Sequence, residues 1–332
     1  MPPPFQPDIL TFLPVYKPYV WGGTRLPERL GRTSTPDLPC YAESWELSDH
    51  PDGMSAVASG PYAGQTLHAL MHDYGRAMTG RDATSFPLLI KILDAADRLS
   101  VQVHPDNDSA RRHGGEAKTE CWYILEAEPD ASVWAGLQPG VTPDTFRAAL
   151  DMGTIPDLLR QIPVTRGDLL FIPGGRVHAV GAGCLILEVQ QSSNTTYRVF
   201  DWNRTGIDGK PRDLHIDQAM RIIQWNDTAS ALTTPGPEQS PGANRIRDRV
   251  ACPYFKMEEL TLHEPLNVRH AGDTFHALFT ISGGLHIRGS EIEIDLPAGT
   301  TALVPAAIPA YTIRPTQGIA EVLRISLPPE NH

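Results

Sequence analysis

Short apolar segments separated by proline and glycine run along most of the chain. The 332 residues include 31 prolines and 28 glycines, which bound runs such as FPLLIKIL, CWYIL, GDLLFIP and GCLILEV. Apolar runs of this length, flanked by turn residues, are typical of buried strands rather than of helices. The sequence therefore predicts a mainly β fold that consists of two jelly-roll β-barrels or sandwiches.

A few peripheral α-helices are predicted beside the strands. Residues 64–78 have apolar positions at helical spacing with Thr66 as a plausible N-cap. The segment TPDTFRAAL starts at Thr142 and places a proline at the first helical position. A third helix is predicted near residues 214–225.

Four side chains with metal-binding donors lie in predicted strands. Gln102 and His104 are two residues apart in SVQVHPD, so both point to one face of their strand. Glu120 begins the strand ECWYIL, and His178 follows the PGG turn. Two imidazoles, a carboxylate and an amide oxygen suit a first-row divalent ion, and zinc, one ion per chain, is the leading candidate. The other histidines, such as His113 in a polar loop, are interpreted as surface or hydrogen-bonded core residues.

A segment without hydrophobic periodicity divides the chain. Residues 227–246 are rich in Pro, Ser, Thr, Gly and Ala, which is typical of an exposed linker. We therefore expect a domain with the metal site at 1–226, a linker at 227–246 and a second domain at 247–332.

The two predicted domains share a degenerate repeat. The segments RGDLLFIPGGRVHAV and AGTTALVPAAIPAYT both contain a glycine and a proline six residues apart. In this alignment Ala310 corresponds to His178, and His276 corresponds to Glu120. The second domain is therefore expected to keep the strands and turns without a metal site.

Composition and charge exclude several classes of protein. A formal charge of -11 without a block of Lys or Arg would repel nucleic acid and anionic membrane, although a local pair of basic residues can still bind an anionic small substrate. No apolar run is long enough to span a bilayer, and the N-terminal segment does not resemble a signal peptide. The four cysteines form no CxxC pair and are expected to be reduced. We predict a cytoplasmic protein that does not bind nucleic acid or membrane and is a monomer, since no heptad pattern is present.

Several longer segments resemble type I phosphomannose isomerases. They are FPLLIKILDAADRLSVQVHPD, GEAKTECWYIL, GDLLFIPGGRVHAVG and EVQQSSNTTYRVFDWNR, together with PYVWGG and AESWELSDHPDGMS near the start. The resemblance runs from about residue 14 to 226, is weaker in the C-terminal part, and is to the short bacterial form that lacks an inserted helical domain. It implies cupin-like barrels and an aldose-ketose isomerase that interconverts mannose 6-phosphate and fructose 6-phosphate through an enediol.

The resemblance also implies roles for individual residues. Zinc ligands are expected at Gln102, His104, Glu120 and His178. Arg198 is expected to be an active-site arginine, and the expected pocket and substrate-binding residues are Lys91, Ser100, Lys118 and Asp201. Trp21 and Glu43 are expected either in the pocket wall or in the packing around it.

The residue that moves the proton is left open by the sequence. Glu188, on the apolar strand CLILEVQ, is a candidate base if burial raises its pKa toward neutrality. Its other interpretation is a structural ion pair with Arg198. Lys118 is a further catalytic candidate, and its alternative is a solvated loop residue in GGEAKTE.

Two other functions are compatible with a metal-bearing jelly roll. The first is an iron dioxygenase, which would favour a histidine-rich ligand set rather than one with glutamine and neighbouring basic residues. The second is a sugar-binding or regulatory protein without catalysis. Metal analysis with oxygen uptake distinguishes the first, and substrate binding without turnover would indicate the second.

Overall fold

The structure is a computed structural model that describes residues 2–33, 38–290 and 292–329. Residues 291 and 330–332, which belong to the predicted second domain, lie outside the described part of the chain, as do residues 1 and 34–37. The fold is mainly β, as predicted, and few helices accompany the strands. No described helix is long and apolar enough to cross a membrane.

The strands are, in chain order, β1 (Leu10–Leu13), β2 (Val15–Lys17), β3 (Glu43–Leu47), β4 (Asp49–His50), β5 (Gly53–Met54), β6 (Ala56–Val57), β7 (Leu88–Ala95), β8 (Val101–Val103), β9 (Glu120–Ala127), β10 (Ser132–Leu137), β11 (Leu159–Pro163), β12 (Leu169–Ile172), β13 (His178–Val180), β14 (Cys184–Gln191), β15 (Tyr197–Phe200), β16 (Glu238–Gln239), β17 (Arg245–Ala251), β18 (Lys256–Leu262), β19 (Leu266–Arg269), β20 (His276–Ser282), β21 (Gly284–Arg288), β22 (Glu293–Pro297), β23 (Thr301–Val304), β24 (Ala310–Pro315) and β25 (Ala320–Ser326).

The helices are α1 (Arg25–Leu30), α2 (Leu67–Thr79), α3 (Asn107–His113), α4 (Pro143–Met152) and α5 (Ile216–Ile222), with a 3₁₀ turn at Ile155–Leu158. The three predicted helices are confirmed as α2, α4 and α5. Thr66 and Thr142 accept hydrogen bonds from the first turns of α2 and α4, as N-caps do. Helix α3 is an addition to the prediction: Asp106 forms a capping box there, so His113 ends a helix instead of lying in a loop.

The chain forms two compact units. The site unit consists of Tyr16–Ser44 and Ile90–Thr233, and the companion unit consists of Met1–Val15, Trp45–Leu89 and Thr234–His332. One boundary, at residues 233 and 234, falls inside the predicted linker. The N-terminal segments of the companion unit belong to it because β1 pairs with β23 and with β6, a long-range pairing that local sequence does not reveal. The predicted division into a domain with a site and a domain without one stays a prediction.

Part of the predicted linker is not exposed. Ala231 is fully buried, and its carbonyl accepts a hydrogen bond of 2.8 Å from the amide of Phe171. The amide of Thr233 donates to the carbonyl of Leu169 at 2.9 Å. This segment therefore lies along the edge of β12, because its backbone satisfies that strand's outer hydrogen-bonding groups.

Two sheets carry the site unit. Their strand orders are β12-β9-β14-β7-β3-β2 and β11-β10-β13-β8-β15. The apolar core of this unit includes Trp122, Ile124, Ile172, Ile186 and Val180. A second apolar cluster packs residues of α4 and α5, Phe146 and Ile222 among them, against β8, β13 and β15.

Strand alternation decides which side chains of β8 point toward the site. Val101 and Val103 belong to the cluster with α4 and α5. Gln102 and His104 point the other way because side chains on a strand alternate between its two faces. The prediction that the two valines and the two polar residues face opposite sides is confirmed.

The companion unit repeats the strand framework of the site unit. In the site unit β12 pairs with β9 so that Ile172 is opposite Glu120, and in the companion unit β23 pairs with β20 so that Val304 is opposite His276. The predicted correspondence of Glu120 and His276 is therefore confirmed. The two strands that follow, β13 and β24, begin the same number of residues later.

Ala310, which the alignment matches to His178, does not face inward. Ala310 is exposed, whereas Tyr311 is 4% exposed and packs in the apolar core of the companion unit. His178 pairs with Gln102, and Tyr311 pairs with Val268. Neighbouring side chains of a strand point to opposite faces, so the inward-facing residue at the start of β24 is Tyr311, one residue after the aligned Ala310.

The inward-facing polar residues of the companion unit form a hydrogen-bonded chain. Tyr311 Oη lies 2.6 Å from Nδ1 of His276. Arg324, on β25, donates through Nε to Glu258 at 2.7 Å. Burial, followed by the positive charges of Arg324 and His270, lowers the pKa of His276 to about 3. His276 is therefore neutral in the folded protein at neutral pH.

The stability of the companion unit should depend on the titration of His276. Its folded pKa lies below that of an unfolded histidine, so its contribution is fully present above about pH 6.5 and is lost as the pH falls toward 3, by up to about 1.4 kcal/mol per pH unit. We expect His276→Gln to lower the free energy of unfolding at pH 7.5 and to flatten its decline between pH 6.5 and 5. Denaturant unfolding at several pH values measures both effects. His263→Gln, at an exposed position, is the control, and a variant at 276 with the wild-type pH slope would contradict the assignment.

Candidate metal centre and adjoining anion site

The predicted ligand residues converge at one end of the site unit's core. His104 Nε2 lies 3.7 Å from Glu120 Oε2, and His178 Nε2 lies 3.4 Å from Glu120 Oε1. The side-chain amide of Gln102 is 3.3 Å from His178 Nε2. Ligand atoms of the two histidines and the glutamate all lie within 4.8 Å of one another, and the three residues are buried. The structure thus brings together donors that the sequence scatters over 77 positions, from 102 to 178.

The PGG turn allows His178 to approach His104. A Cβ on Gly174 would lie 2.6 Å from the backbone nitrogen and Cα of Asp106, so only glycine fits there. Gly175 has a φ of 89° and donates its amide to the carbonyl of His104 at 2.7 Å. The turn is therefore hydrogen-bonded to the chain at the end of β8, at the candidate ligand His104, and it leads directly into the second candidate ligand, His178.

The two histidines present the same ring nitrogen to the centre. Nδ1 of His104 donates to the carbonyl of Thr195 at 2.8 Å, and Nδ1 of His178 donates to the carbonyl of Arg176 at 2.9 Å. A proton fixed on Nδ1 leaves a lone pair on Nε2, which is the arrangement of metal-ligating histidines. Burial lowers the pKa of His178 to about 4, and burial with the charge of Lys118 lowers that of His104, so both rings are neutral.

The buried carboxylate of Glu120 has one close cationic partner, Lys118, and its geometry leaves room for a second cation among its partners. Among the described residues neither of its buried oxygens accepts a hydrogen bond of acceptable geometry, although Lys118 Nζ lies 2.8 Å from Oε2 as an ion pair. Burial and the charge of Glu188 raise the pKa of Glu120 to about 7. A carboxylate that burial penalises in this way, beside two imidazole lone pairs, fits a divalent cation.

Two lysines and three carboxylates surround this centre. Lys91 Nζ lies 3.0 Å from Glu188 and 3.6 Å from Glu43, and Lys118 Nζ lies 2.8 Å from Glu120 and 3.6 Å from Glu188. All five side chains are buried or nearly so. Two positive and three negative charges leave one net negative charge in a region of low dielectric, and a divalent cation would change its sign.

Glu188 differs from both of its predicted interpretations. Burial alone would raise its pKa, but the charges of Lys118 and Lys91 outweigh burial and lower it to about 2. Its partners are Lys91, Lys118 and the indole Nε1–H of Trp122, which donates at 3.1 Å, rather than Arg198. The expected rise in pKa is wrong because the sequence does not reveal that two lysines from other segments meet this carboxylate. Lys118 is buried, so its solvated-loop interpretation is also wrong.

A cavity of about 260 Å³ opens beside the ligand set. Its wall includes the predicted residues Lys91, Ser100, Gln102, Lys118, Glu188 and Arg198, and also Trp21 and Glu43. Arg198 donates through Nε to the hydroxyl of Ser100 at 3.2 Å and through Nη1 to the carbonyl of Asp213 at 2.9 Å. The cavity wall therefore contains carboxylates and lysines as well as the guanidinium group of Arg198, whose residue pairs with Gln102 across β15 and β8.

Two wall residues, Arg212 and His215, were missed by the sequence reading. They lie in the segment DWNRTGIDGKPRDLH, which has no periodicity and contains two glycines, so no local pattern indicates where its side chains point. Asp201, which was predicted to bind substrate, is not part of the wall. Its carboxylate accepts hydrogen bonds from Arg212 and Arg204.

The chain is similar to one family of known proteins over most of its length. A sequence model described as phosphomannose isomerase type I, catalytic domain, matches residues 9–132. The probable mannose-6-phosphate isomerase GmuF of Bacillus subtilis is 34% identical over 313 residues, which are 91% of this chain and 95% of that protein. The mannose-6-phosphate isomerase of Streptococcus mutans is 42% identical over 215 residues, which are 64% of this chain and 66% of that protein. A crystal structure of mannose 6-phosphate isomerase from Bacillus subtilis has a TM-score of 0.87 at 30% identity and covers 96% of this chain and 99% of that one.

We expect the protein to bind about one divalent ion per chain through this centre. Glu120→Gln and His178→Ala should each weaken metal binding by well over about ten-fold, since even residues behind the ligands contribute that much. His113→Ala, at the exposed end of α3, is the matched control. Metal content after dialysis, measured together with the melting temperature, tests this, and unchanged content in the variants would disprove the site.

Proposed function

Because the chain belongs to the type I phosphomannose isomerase family, we propose that it interconverts mannose 6-phosphate and fructose 6-phosphate. The observation that carries this proposal is a cavity whose wall contains Gln102 and Lys118, which lie beside the cluster of His104, Glu120 and His178, together with the guanidinium group of Arg198. The active site of an aldose-ketose isomerase that acts on a phosphorylated sugar needs one group of residues for the reacting oxygens and another for the phosphate. The names of the relatives agree with this substrate.

We propose zinc as the cofactor. Two neutral imidazoles, one carboxylate and one amide form a borderline donor set without thiolates, which suits zinc. The side-chain amide of Gln102 has its nitrogen 3.3 Å from His178 Nε2 and its oxygen 3.2 Å from the hydroxyl of Ser100. A flip of the amide, which exchanges two atoms of similar shape, would present the oxygen to the ion. When bound, the ion would supply Lewis-acid stabilisation of negative charge on the sugar oxygens.

The reaction moves a proton between C2 and C1 of the sugar through an enediol, and a second proton passes between the two oxygens. The cavity wall has to bind the sugar in one orientation, keep water away and provide a group that exchanges protons. Arg198 and Ser100 are proposed to bind the phosphate, since a planar guanidinium suits bidentate contact with an anion. Lys91 is proposed to bind sugar hydroxyls from the carboxylate side of the cavity.

Lys118 is proposed as the proton-exchanging group and Glu188 as the residue that positions it. Lys118 lines the cavity and lies closest to the ligand set, with its Nζ 3.2 Å from His104 Nε2. Glu188 contacts both lysines, and its lowered pKa makes it a weak base. An ionised carboxylate serves better to hold Lys118 in place than to abstract a proton from carbon. The neutral amine of Lys118 would take the C2 proton and become an ammonium group, which would then return the proton to C1.

Turnover should require the metal and a phosphorylated sugar. We expect a coupled assay to detect interconversion of mannose 6-phosphate and fructose 6-phosphate, to detect far less with unphosphorylated mannose, and to lose the activity after dialysis against a chelator. Zinc added back should restore it. An undiminished rate in protein verified to be metal-free would refute zinc dependence, and stoichiometric iron with oxygen uptake would favour a dioxygenase.

Variants of Lys118 and Glu188 should separate the two assigned roles. Lys118→Met removes the proton-exchanging group, and we expect kcat to fall by about 10²- to 10⁴-fold, the usual contribution of general acid-base catalysis. Glu188→Gln keeps the shape of the side chain, and the expected fall in kcat is smaller. Exchange of the C2 proton with solvent, measured by nuclear magnetic resonance, reports the same step. A greater loss of exchange in the Glu188 variant than in the Lys118 variant would reverse the assignment.

A further inference from the structure

Arg212 lies in the wall of the same cavity as Arg198, in a segment whose sequence gives no indication of a site. We infer that Arg212 is a second anion-binding arginine, which binds the substrate's phosphate together with Arg198, and that Asp201 is the positioning residue that aims it. The inference rests on the proposed function, because it names the group that distinguishes a phosphorylated sugar from an unphosphorylated one.

The contacts of Arg212 leave one edge of its guanidinium group, that of Nη1, available. Asp201 accepts from Nε at 2.7 Å and from Nη2 at 2.5 Å. Among the described residues no partner is found for Nη1. The planar fork is thus fixed along one edge, which leaves the donor on the other edge ready for a ligand.

Arg198 is held in the same manner. Its Nε donates to the hydroxyl of Ser100 and its Nη1 donates to the carbonyl of Asp213, whereas Nη2 has no partner within the described ranges. Two guanidinium groups in one cavity wall therefore each keep an uncommitted nitrogen. A phosphate has enough acceptor oxygens to bind both at once.

The electrostatics favour an anion at this end of the cavity. Burial lowers the pKa of Arg198, and the charge of nearby Arg212 lowers it further, so the two cations oppose each other in the absence of a ligand. Asp201 is compensated by Arg204 as well as Arg212, and Arg204 also contacts Asp97 at 2.8 Å. With these pairs counted, the arginines exceed the carboxylates by one charge. A bound dianion would reverse this local excess of positive charge. The local excess also explains how a protein with an overall charge of -11 can bind an anion at this place.

Asp201 is placed to act through Arg212 and not on the substrate. It is 7% exposed and lies outside the cavity wall. Its two oxygens are both occupied by arginine donors from the segment that follows it. Asp201 therefore fixes the conformation of the segment 201–215, and this segment places Arg212 and His215 in the cavity wall.

Binding of inorganic phosphate and of mannose 6-phosphate to the metal-loaded protein tests the role of Arg212 without requiring turnover. By titration calorimetry we expect Arg212→Ala to weaken both by about ten- to hundred-fold, the range for a lost charge-assisted hydrogen bond. The KM for mannose 6-phosphate should rise by a similar factor while kcat changes by less than about three-fold, because the contact is the same in ground and transition states. Lys210→Ala removes one positive charge from the same exposed segment and should leave both affinities within about two-fold.

The outcomes separate this inference from the proposed function. If wild-type protein binds the phosphosugar and never isomerises it, the proposed isomerase activity fails while the anion site stands. If Arg212→Ala binds inorganic phosphate as tightly as wild type does, or if Lys210→Ala weakens binding equally, Arg212 is not a phosphate ligand. Equal melting temperatures of the two variants ensure that folded proteins are compared.

The positioning role of Asp201 is tested by a double-mutant cycle. Asp201→Asn alone should raise the KM by about ten-fold, since the amide cannot hold both guanidinium nitrogens. In the Arg212→Ala background the same change should leave the KM within about two-fold of the Arg212→Ala single variant, because the guanidinium group that Asp201 orients is already absent. A merely structural role would cost the same in both backgrounds, and that result would overturn the assignment.

Discussion

The buried charged side chains of the site unit depend on its strands, whose spacing and register hold opposite charges close together. Each of the strands β7, β9 and β14 combines apolar residues with one charged residue of the site: Lys91 in the middle of β7, Glu120 at the start of β9 and Glu188 in the middle of β14. Removing charges from water costs several kcal/mol each, and close oppositely charged partners offset that cost only when their geometry is fixed. Adjacent strands of a sheet provide this fixed geometry, because their spacing and register leave little freedom. The apolar core packed beside these charges keeps the strands in place, so the site also depends on residues such as Ile124 and Ile186 that are fully buried and carry no charge.

The companion unit shows that the same framework tolerates a different electrostatic solution. The site unit has a lysine on β7 against a glutamate on β14, whereas the companion unit has Glu258 on β18 against Arg324 on β25. The positions equivalent to Glu120 and His178 hold His276 and Tyr311, which hydrogen-bond directly to each other. That pair satisfies itself and needs no cation. A metal centre requires the opposite, donors that are oriented but do not bond to one another: the carboxylate of Glu120 lies 3.4 to 3.7 Å from the two histidine nitrogens and has Lys118 as its ion-pair partner.

The sequence was sufficient for the ligand set and insufficient for its surroundings. Gln102, His104, Glu120 and His178 could be predicted because alternation along β8 and the glycine turn before β13 are local properties. The partners of Glu188 could not, since Lys91 and Lys118 reach it from segments about 70 to 100 residues away and reverse the direction of its pKa shift. The alignment did not show that Tyr311, and not Ala310, points inward, because an alignment of sequences does not record which face of a strand each side chain occupies. Arg212 lies in a glycine-containing segment, where neither periodicity nor turn chemistry specifies side-chain direction.

The two ends of the cavity make opposite demands on whatever fills it. Near Glu120 the protein has an excess of buried negative charge and two imidazole lone pairs, which a cation would offset. In the same cavity wall Arg198 and Arg212 bring two positive charges close together, which an anion would offset. A ligand that bears only negative charge would satisfy one end, whereas a polyhydroxylated molecule with a phosphate at its far end can place neutral oxygens toward the ligand set and its dianion between the arginines. Arg198 lies on the same sheet, β13-β8-β15, that carries Gln102 and His178. The pairing of these strands therefore holds Arg198 in a fixed position relative to both residues, which is what selection for such a ligand requires.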